Sequence, residues 1–167
     1  MSYAILPGSY DPMTVGHLDI IRRASLLFDN VTVLVAKNNA KHYLLTAAER
    51  LELVSDAVKN LKNVTAEEFD GMLVDYIESH NRPVIVKGIR GDKDLYYEQN
   101  MAHYNRQLSR RKYGFTAETL FLISEVEYSE ISSTLVRTLI DCKTDFSDLV
   151  PNAALLTSML EHSAQKE

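Results

Sequence analysis

The sequence predicts an α/β fold, a doubly wound (Rossmann-like) five-stranded parallel sheet with helices on both faces and a C-terminal helical segment. Short apolar runs alternate with longer segments of helical periodicity, which is the pattern of strands joined by right-handed helical crossovers. The run VTVLVA at 31–36 is apolar at nearly every position, as in strands that are buried on both faces. From residue 131 onward only helical patterns remain. A chain of 167 residues is expected to form one domain, here over residues 1–167.

The predicted strands are short and rich in Val, Ile and Leu, which suits a pleated and largely buried surface. Each is followed by turn residues or by the start of a helical pattern. In such sheets ligands bind beyond the carboxyl ends of the strands, so the loops after the strands are where a site is expected. The predicted strands are 3–6, 31–36, 63–68, 83–88 and 118–123.

Helical patterns fill the intervals between the strands. In the first, Leu18 and Ile21 recur on one face with a period of 3.6 residues. In the second, Thr46 and Glu49 have the spacing of a capping box, which predicts a helix start. The predicted helical segments are 17–28, 46–61, 71–81, 95–112 and 131–167, the last broken at Pro151.

Composition and charge exclude several classes of protein. The net charge of -5 argues against a nucleic-acid partner, and a polyanionic substrate must be held by a local group of cations. The single cysteine, Cys142, excludes an intrachain disulfide and a multi-cysteine metal site, and we expect it to be a buried or partly buried apolar residue. No signal peptide and no run long enough to span a membrane is recognised, so a cytoplasmic location and no membrane partner are expected.

The loop after the first strand, PGSYDPMTVGH at 7–17, has the composition of a phosphate-binding turn. Thr14 and His17 are three residues apart, so both side chains can face one point at the start of the helix. Gly16 lacks a Cβ where a ligand approaches the backbone. Free N–H groups at a helix N-terminus favour an anion, and a histidine adds a directed donor to a phosphate on which charge develops.

Two segments resemble the signatures of the nucleotidyltransferase superfamily. GSYDPMTVGH at 8–17 is similar to its phosphate-binding signature, and ISSTLVR at 131–137 is similar to its second signature. The two lie about 115 residues apart, and both stand at predicted helix starts. The resemblance implies that residues 1–167 form a single nucleotidyltransferase domain.

The middle of the chain resembles the bacterial phosphopantetheine adenylyltransferases. The segments that carry this likeness are VKGIRGDKDLYYEQNMAHYNRQL at 86–108 and AKHYLLTAAERLEL at 40–53. The order of strands and helices follows that family from about residue 3 to 160. Two positions depart from it: Lys87 stands where the family usually has Arg, and Tyr128 where it often has Trp.

The resemblance implies a reaction and the residues that carry it. The adenylyl group of ATP would pass to 4′-phosphopantetheine, giving dephospho-coenzyme A and pyrophosphate in coenzyme A biosynthesis. The attacking group is already an anionic oxygen, so in-line attack needs alignment and charge stabilisation but no covalent enzyme intermediate. The expected catalytic residues are His17, Lys41 and Thr14. Dephospho-coenzyme A or coenzyme A is expected as a product or feedback ligand.

Further site residues follow from the same resemblance. Those expected to bind ATP are Ser9, Tyr10, His17, Gly88, Ile89, Arg90, Glu98, Tyr128, Ser129, Glu130, Ile131, Ser132, Ser133 and Thr134. Those expected to bind the acceptor substrate are Ser9, Lys41, Leu73 and Lys87.

Magnesium is expected to arrive with ATP, because Mg²⁺ usually bridges phosphate oxygens with few protein ligands. No acidic pair has the spacing of a metal site, and Asp11 before Pro12 suits a turn former as well as an ion ligand. Family members assemble as hexamers, and the polar helix at 95–112 could serve such contacts.

Two alternatives stay open. One is a sister nucleotidyltransferase, either a nicotinamide-mononucleotide adenylyltransferase or a cytidylyltransferase, which the first signature does not separate. GIRGDKDLYYE at 88–98 and Lys41 favour pantetheine. The other is a non-catalytic nucleotide-binding module, and the presence of His17, Lys41 and Ser132–Ser133 counts against it.

Overall fold

A computed structural model describes residues 1–37 and 42–164 of the chain. Five parallel strands form one sheet in the order β3-β2-β1-β4-β5, which confirms the predicted fold class. Each predicted strand is present to within a few residues at its ends. The strands are β1 Tyr3–Gly8, β2 Asn30–Ala36, β3 Val64–Phe69, β4 Val84–Ile89 and β5 Thr119–Ile123.

Helices connect the strands and continue after the last one. The helix after β2 begins at the predicted capping box, with the Thr46 side chain accepting from the Glu49 N–H and the Glu49 side chain accepting from the Thr46 N–H. The helix after β4 ends at Gly114, whose φ of 72° closes the last turn in the left-handed region. The helices are α1 Val15–Leu27, α2 Ala47–Val58, α3 Leu73–Ser79, α4 Asp92–Tyr113, α5 Ser133–Asp141 and α6 Ala153–Ala164.

The sheet changes its winding direction between β1 and β4. From β1 the chain builds outward through β2 to β3, then returns to the other side of β1 with β4. The connections that follow β1 and β4 therefore lead away in opposite directions, and this leaves a crevice at the carboxyl ends of these two strands. That crevice holds the cavity described below.

The core lies on both faces of the sheet. Successive side chains of β2 point to opposite faces of the sheet. Val33 packs in one cluster with Ile21 of α1, and Leu34 packs in another with Ile77 of α3. This two-sided burial confirms what the run at 31–36 predicts. A third cluster, which includes Leu53 of α2, holds the C-terminal helices against the domain.

The structure overturns one prediction, for Cys142, and shows an unusual burial at Arg50. Cys142 was expected to be at least partly buried, and this prediction is wrong: the residue is the C-cap of α5 and is exposed there. Arg50, part of an otherwise ordinary amphipathic pattern, is almost wholly buried. Among the described residues, no helix is both long enough and apolar enough to cross a membrane.

Candidate active site

A cavity of about 490 Å³ opens at the carboxyl ends of β1 and β4. The N-termini of α1 and α5 and one face of α4 complete its wall. Most of the predicted site residues within the described part of the chain line it. They are Ser9, Tyr10, Thr14, His17, Leu73, Lys87, Gly88, Arg90, Glu98, Ile131, Ser132, Ser133 and Thr134.

The start of α1 holds His17 by a capping box. Thr14 is the N-cap, and its hydroxyl accepts from the His17 N–H at 3.4 Å. In return the Thr14 N–H donates to Nδ1 of His17 at 3.0 Å. Because Nδ1 accepts, the proton of a neutral imidazole is assigned to Nε2. The local helix cap therefore sets the tautomer of the histidine.

The His17 imidazole is uncharged at neutral pH. Burial lowers its pKa to about 4, and the positive charges of Arg90 and Lys87 act in the same direction. Its ring packs edge-on against the Tyr10 ring, with 5.1 Å between centroids. Tyr10 is itself fixed, because its hydroxyl donates to the Leu6 carbonyl at 2.9 Å. His17 thus offers a neutral N–H donor in a fixed orientation.

The close approach of α1 to β4 depends on Gly88. A Cβ at this position would lie 2.8 Å from Cγ1 of Ile20, which is closer than real contacts allow. The missing side chain lets the first turns of α1 sit against the end of β4. His17 is thereby brought to the same cavity as the cations that follow β4.

Two cations stand on the wall formed by β4 and α4. Nζ of Lys87 donates to the Pro7 carbonyl at 3.1 Å and lies 3.2 Å from the Glu98 carboxylate. The Arg90 guanidinium pairs with Asp94 at 2.7 Å and donates to the Ile131 carbonyl at 3.2 Å. These contacts orient both charges at the cavity, where they favour polyanions. In this structure the Glu98 carboxylate is the partner of Lys87.

The second signature meets the first at the start of α5. Ser132 is the N-cap, with its hydroxyl accepting from the Leu135 N–H at 3.0 Å. Ser133 donates to the Pro12 carbonyl at 2.8 Å, and Arg137 donates to the Asp11 carbonyl. Segments far apart in sequence are thus joined, and two helix N-termini face one cavity. This arrangement suits a chain of phosphates.

Asp11 has a structural role in this turn. The residue is 2% exposed, and its two carboxylate oxygens accept from the Leu44 N–H at 2.9 Å and the Leu45 N–H at 3.0 Å. The contacts fit the turn-forming interpretation, since each oxygen accepts a backbone N–H and Arg137 lies 3.8 Å from the carboxylate. Within residues 1–37 and 42–164, no group of three or more His, Cys, Asp or Glu side chains could hold a metal ion.

A few predicted site residues lie elsewhere. Ile89, the last residue of β4, is buried among the core residues and does not line the cavity. Tyr128 does not line the cavity but lies against Gly16 of α1, where a Cβ added to Gly16 would be 3.4 Å from the Cβ of Tyr128. Ser129 and Glu130 follow it and do not line the cavity. Lys41 lies outside the described residues.

The sequence alone missed other lining residues. Tyr97, Met101 and Asn105 line the cavity from α4, one turn apart along the helix. Their spacing of four residues was the available signal, since side chains at i, i+4 and i+8 share a face. Ala36, which ends β2, and Tyr43, which precedes α2, also line it. Nothing in the local pattern marked these two.

Comparison with known proteins places the chain in a family. The family model described as cytidylyltransferase-like matches residues 5–139, which include both signatures. Three curated relatives carry the name phosphopantetheine adenylyltransferase. The relative from Clostridium novyi is 41% identical over 91% of this chain and 91% of its own length. That from Shouchella clausii is 39% identical, covering 90% of this chain and 92% of its own. That from Symbiobacterium thermophilum is 44% identical and covers 90% of each.

Solved structures of lower identity share the fold. A protein from Vibrio parahaemolyticus, assigned as a nicotinate-nucleotide adenylyltransferase, has a TM-score of 0.67 at 19% identity and covers 96% of this chain and 95% of its own. A lipopolysaccharide core biosynthesis protein from Thermoplasma volcanium has a TM-score of 0.53 at 21% identity, covering 75% of this chain and 98% of its own.

Proposed function

The chain belongs to the cytidylyltransferase-like family and, within it, to the phosphopantetheine adenylyltransferases, and on this premise we propose that it transfers the adenylyl group of ATP to 4′-phosphopantetheine. The products are dephospho-coenzyme A and pyrophosphate. Family membership makes the chain a nucleotidyltransferase of coenzyme A biosynthesis. The identity of the acceptor and the roles of individual residues belong to the proposal.

The observation that carries the proposal is the neutral His17 imidazole at the meeting point of two helix N-termini. Its Nδ1 is occupied by the Thr14 N–H, so Nε2 is the atom that donates. The charges of Lys87 and Arg90 stand close enough to lower its pKa. A fixed donor flanked by cations supports a reaction in which negative charge gathers on a phosphate.

The proposed reaction is a single in-line displacement. A phosphate oxygen of the acceptor forms a bond to the α-phosphorus of ATP, while the bond from that phosphorus to the oxygen bridging it to the β-phosphate breaks. Pyrophosphate leaves with the electron pair, and no group on the protein becomes covalently attached. The Nε2–H of His17 donates to a non-bridging oxygen of the α-phosphate as its charge increases. Lys41 is proposed to hold the attacking phosphate of the acceptor next to the α-phosphate of ATP.

Thr14 acts on this reaction through His17. The residue is 1% exposed, and its hydroxyl lies 3.0 Å from Nδ1 and 3.4 Å from the backbone nitrogen of His17. Those contacts support a role in orienting the imidazole. Ser9, the Tyr10 N–H and the hydroxyls of Ser132–Thr134 are proposed to contact the phosphates of ATP.

The acceptor is proposed to lie along α4. Leu73 and Met101 give that part of the wall apolar surface, and Asn105 offers amide groups. A pantetheine arm has alkyl segments separated by amides, so this mixture suits it. Lys87 would then meet the phosphate at the end of the arm.

Two further features belong to the proposal. ATP is expected as its magnesium complex, with the ion held chiefly by phosphate oxygens. The chain is proposed to form a homohexamer, to which the exposed Tyr104 and Tyr96 on α4 are suited.

Pyrophosphate release from ATP tests the choice of acceptor. The purified protein is offered 4′-phosphopantetheine, nicotinamide mononucleotide and glycerol 3-phosphate in separate reactions. We expect release with the first only. Turnover restricted to either of the others would overturn the substrate assignment, and no release with any would favour a non-catalytic nucleotide-binding module.

A further inference from the structure

Arg50 is a buried arginine that the reaction described above does not use. It lies on α2 with a relative exposure of 1%. Its NH1 donates to the Ser9 carbonyl at 2.7 Å and to the Ala36 carbonyl at 3.0 Å. Ser9 follows β1 and Ala36 ends β2, and both residues line the cavity. One guanidinium therefore ties together the carboxyl ends of two neighbouring strands at the candidate site.

The surroundings of Arg50 hold its guanidinium in place. The Tyr43 ring covers it, with Cζ of Arg50 4.0 Å from the ring centroid, and Tyr43 lines the cavity. Among the described residues Arg50 forms no ion pair with a carboxylate, and its Nε has no hydrogen-bond partner. Burying a charge is costly unless other contacts compensate for it. A buried cation held by neutral carbonyls and a ring is therefore unusual for a residue with only a packing role.

The Ser9 carbonyl that Arg50 binds belongs to the Ser9–Tyr10 peptide, whose N–H is proposed to contact a phosphate of ATP. In a trans peptide the C=O and the N–H point in opposite directions, so fixing the Ser9 carbonyl also fixes the Tyr10 N–H, which points away from Arg50. Tyr10 has a φ of 51°, in the left-handed region that a non-glycine residue adopts only at a cost. The orientation of this peptide therefore needs support from outside the turn, and Arg50 provides it.

We propose that Arg50 is a positioning residue that holds the Ser9–Tyr10 peptide so that the Tyr10 N–H is presented to a substrate phosphate. The inference rests on the proposed function for the nature of the ligand, a nucleoside polyphosphate. It adds a residue on α2, an element that contributes no lining residue to the cavity. Arg50 does not touch the reacting atoms, because its donors are directed to backbone carbonyls.

Three variants test this role. Arg50→Met keeps the length of the side chain and removes its donors, whereas Arg50→Lys keeps a donor and the charge. Leu53→Ala is the matched control, since Leu53 is buried on the same helix but packs in the C-terminal cluster. Each variant is assayed for kcat and KM with ATP, for thermal unfolding, and for the response of the Tyr10 amide resonance in ¹H–¹⁵N spectra when ATP is added.

We expect Arg50→Met to lower kcat/KM for ATP by about 10²-fold, the usual range for loss of a donor to the transition state. The Tyr10 resonance should respond to ATP in the wild type and lose that response in Arg50→Met. Arg50→Lys should recover part of both. Leu53→Ala should unfold at a lower temperature while its folded fraction keeps wild-type kcat and the Tyr10 response.

The outcomes separate this inference from the proposed function. A folded Arg50→Met that retains wild-type kcat/KM and the Tyr10 response would overturn the role of Arg50 and leave the function intact. If the wild type turns over no acceptor, the function fails, and the Tyr10 response to ATP still decides the role of Arg50. Should Arg50→Met not fold, the comparison is made with Arg50→Lys, where a parallel loss of kcat/KM and of the Tyr10 response would support the proposal, and a reduced kcat/KM with a wild-type Tyr10 response would count against it.

Discussion

The backbone N–H of Thr14 donates to Nδ1 of His17 across 3.0 Å, so one hydrogen bond both caps α1 and sets the tautomer of the imidazole. The helix start and the candidate catalytic donor are thus the same structural unit. A substitution here affects the stability of the helix and the orientation of Nε2 together. Experiments at this position must therefore measure folding as well as turnover.

Replacing His17 by two different amides separates its two nitrogens. In His17→Gln the side-chain amide reaches about as far as Nε2 and can still donate, whereas in His17→Asn it reaches only as far as Nδ1. We expect His17→Asn and His17→Ala to lose about 10²- to 10³-fold in kcat and to retain ATP binding, with a smaller loss in His17→Gln. Steady-state kinetics and calorimetric titration with ATP make the comparison. Near-normal kcat in His17→Ala would contradict the role.

The charge state of His17 predicts a pH dependence. Its pKa is lowered to about 4, so the ring should remain neutral from about pH 8 down to about pH 5. An NMR titration of its Cε1–H resonance measures this directly. A midpoint near the value of about 6.5 found for model peptides would show that burial and the neighbouring cations do not act as described.

The same lowered pKa predicts the direction in which stability changes. Between about pH 6.5 and the folded-state pKa, the unfolded chain binds a proton at His17 and the folded chain does not. The contribution of this residue to the free energy of unfolding should therefore decrease as the pH falls through that window. Urea unfolding of the wild type and His17→Asn at pH values above and within it isolates the effect as their difference.

Asp11→Asn tests the turn-forming role of Asp11. One of the two oxygens that accept from the Leu44 and Leu45 N–H groups becomes an NH₂ group, so a buried donor loses its acceptor. We expect a loss of about 1–3 kcal/mol in the free energy of unfolding, with the magnesium concentration for half-maximal activity unchanged. The exposed Asp70→Asn is the control and should leave stability unaltered. A large shift in magnesium dependence in Asp11→Asn alone would instead assign Asp11 to the ion.

Lys87 is proposed to contact the phosphate of the acceptor, and it already bonds to the Pro7 carbonyl and to Glu98. Lys87→Met removes the charge and leaves the Glu98 carboxylate unpaired at the wall. It should raise KM for 4′-phosphopantetheine more than KM for ATP. Lys87→Arg should remain active, since a guanidinium can span both partners and the phosphate. Equal effects on the two KM values in Lys87→Met would argue against an acceptor-specific contact.

Much of the fold can be predicted from the order of apolar and capping residues within short segments of the sequence. The apolar run of β2 predicts a strand buried on both faces, and Thr46 with Glu49 predicts the start of α2, because both signals lie within a few residues. The candidate site was predicted in outline for the same reason, since each signature occupies a single loop and helix start.

What the sequence did not predict depends on contacts between distant segments. The Lys87–Glu98 pair requires β4 and α4 to pack together, and the Arg50 contacts require α2 to reach the ends of β1 and β2. A charged residue in a helical pattern is ordinarily exposed, so no local signal marked Arg50 as buried. The exposure of Cys142 was likewise set by where α5 ends.

Transfer of a label from ATP distinguishes direct adenylyl transfer to 4′-phosphopantetheine from a covalent enzyme intermediate. The protein is incubated with 4′-phosphopantetheine and ATP radiolabelled at the α-phosphate, and both the product and the denatured protein are examined for label. We expect label in dephospho-coenzyme A in amounts equal to the pyrophosphate released, and none bound covalently to the protein. Label retained on the protein as a competent intermediate, or pyrophosphate released without labelled dephospho-coenzyme A, would contradict direct transfer.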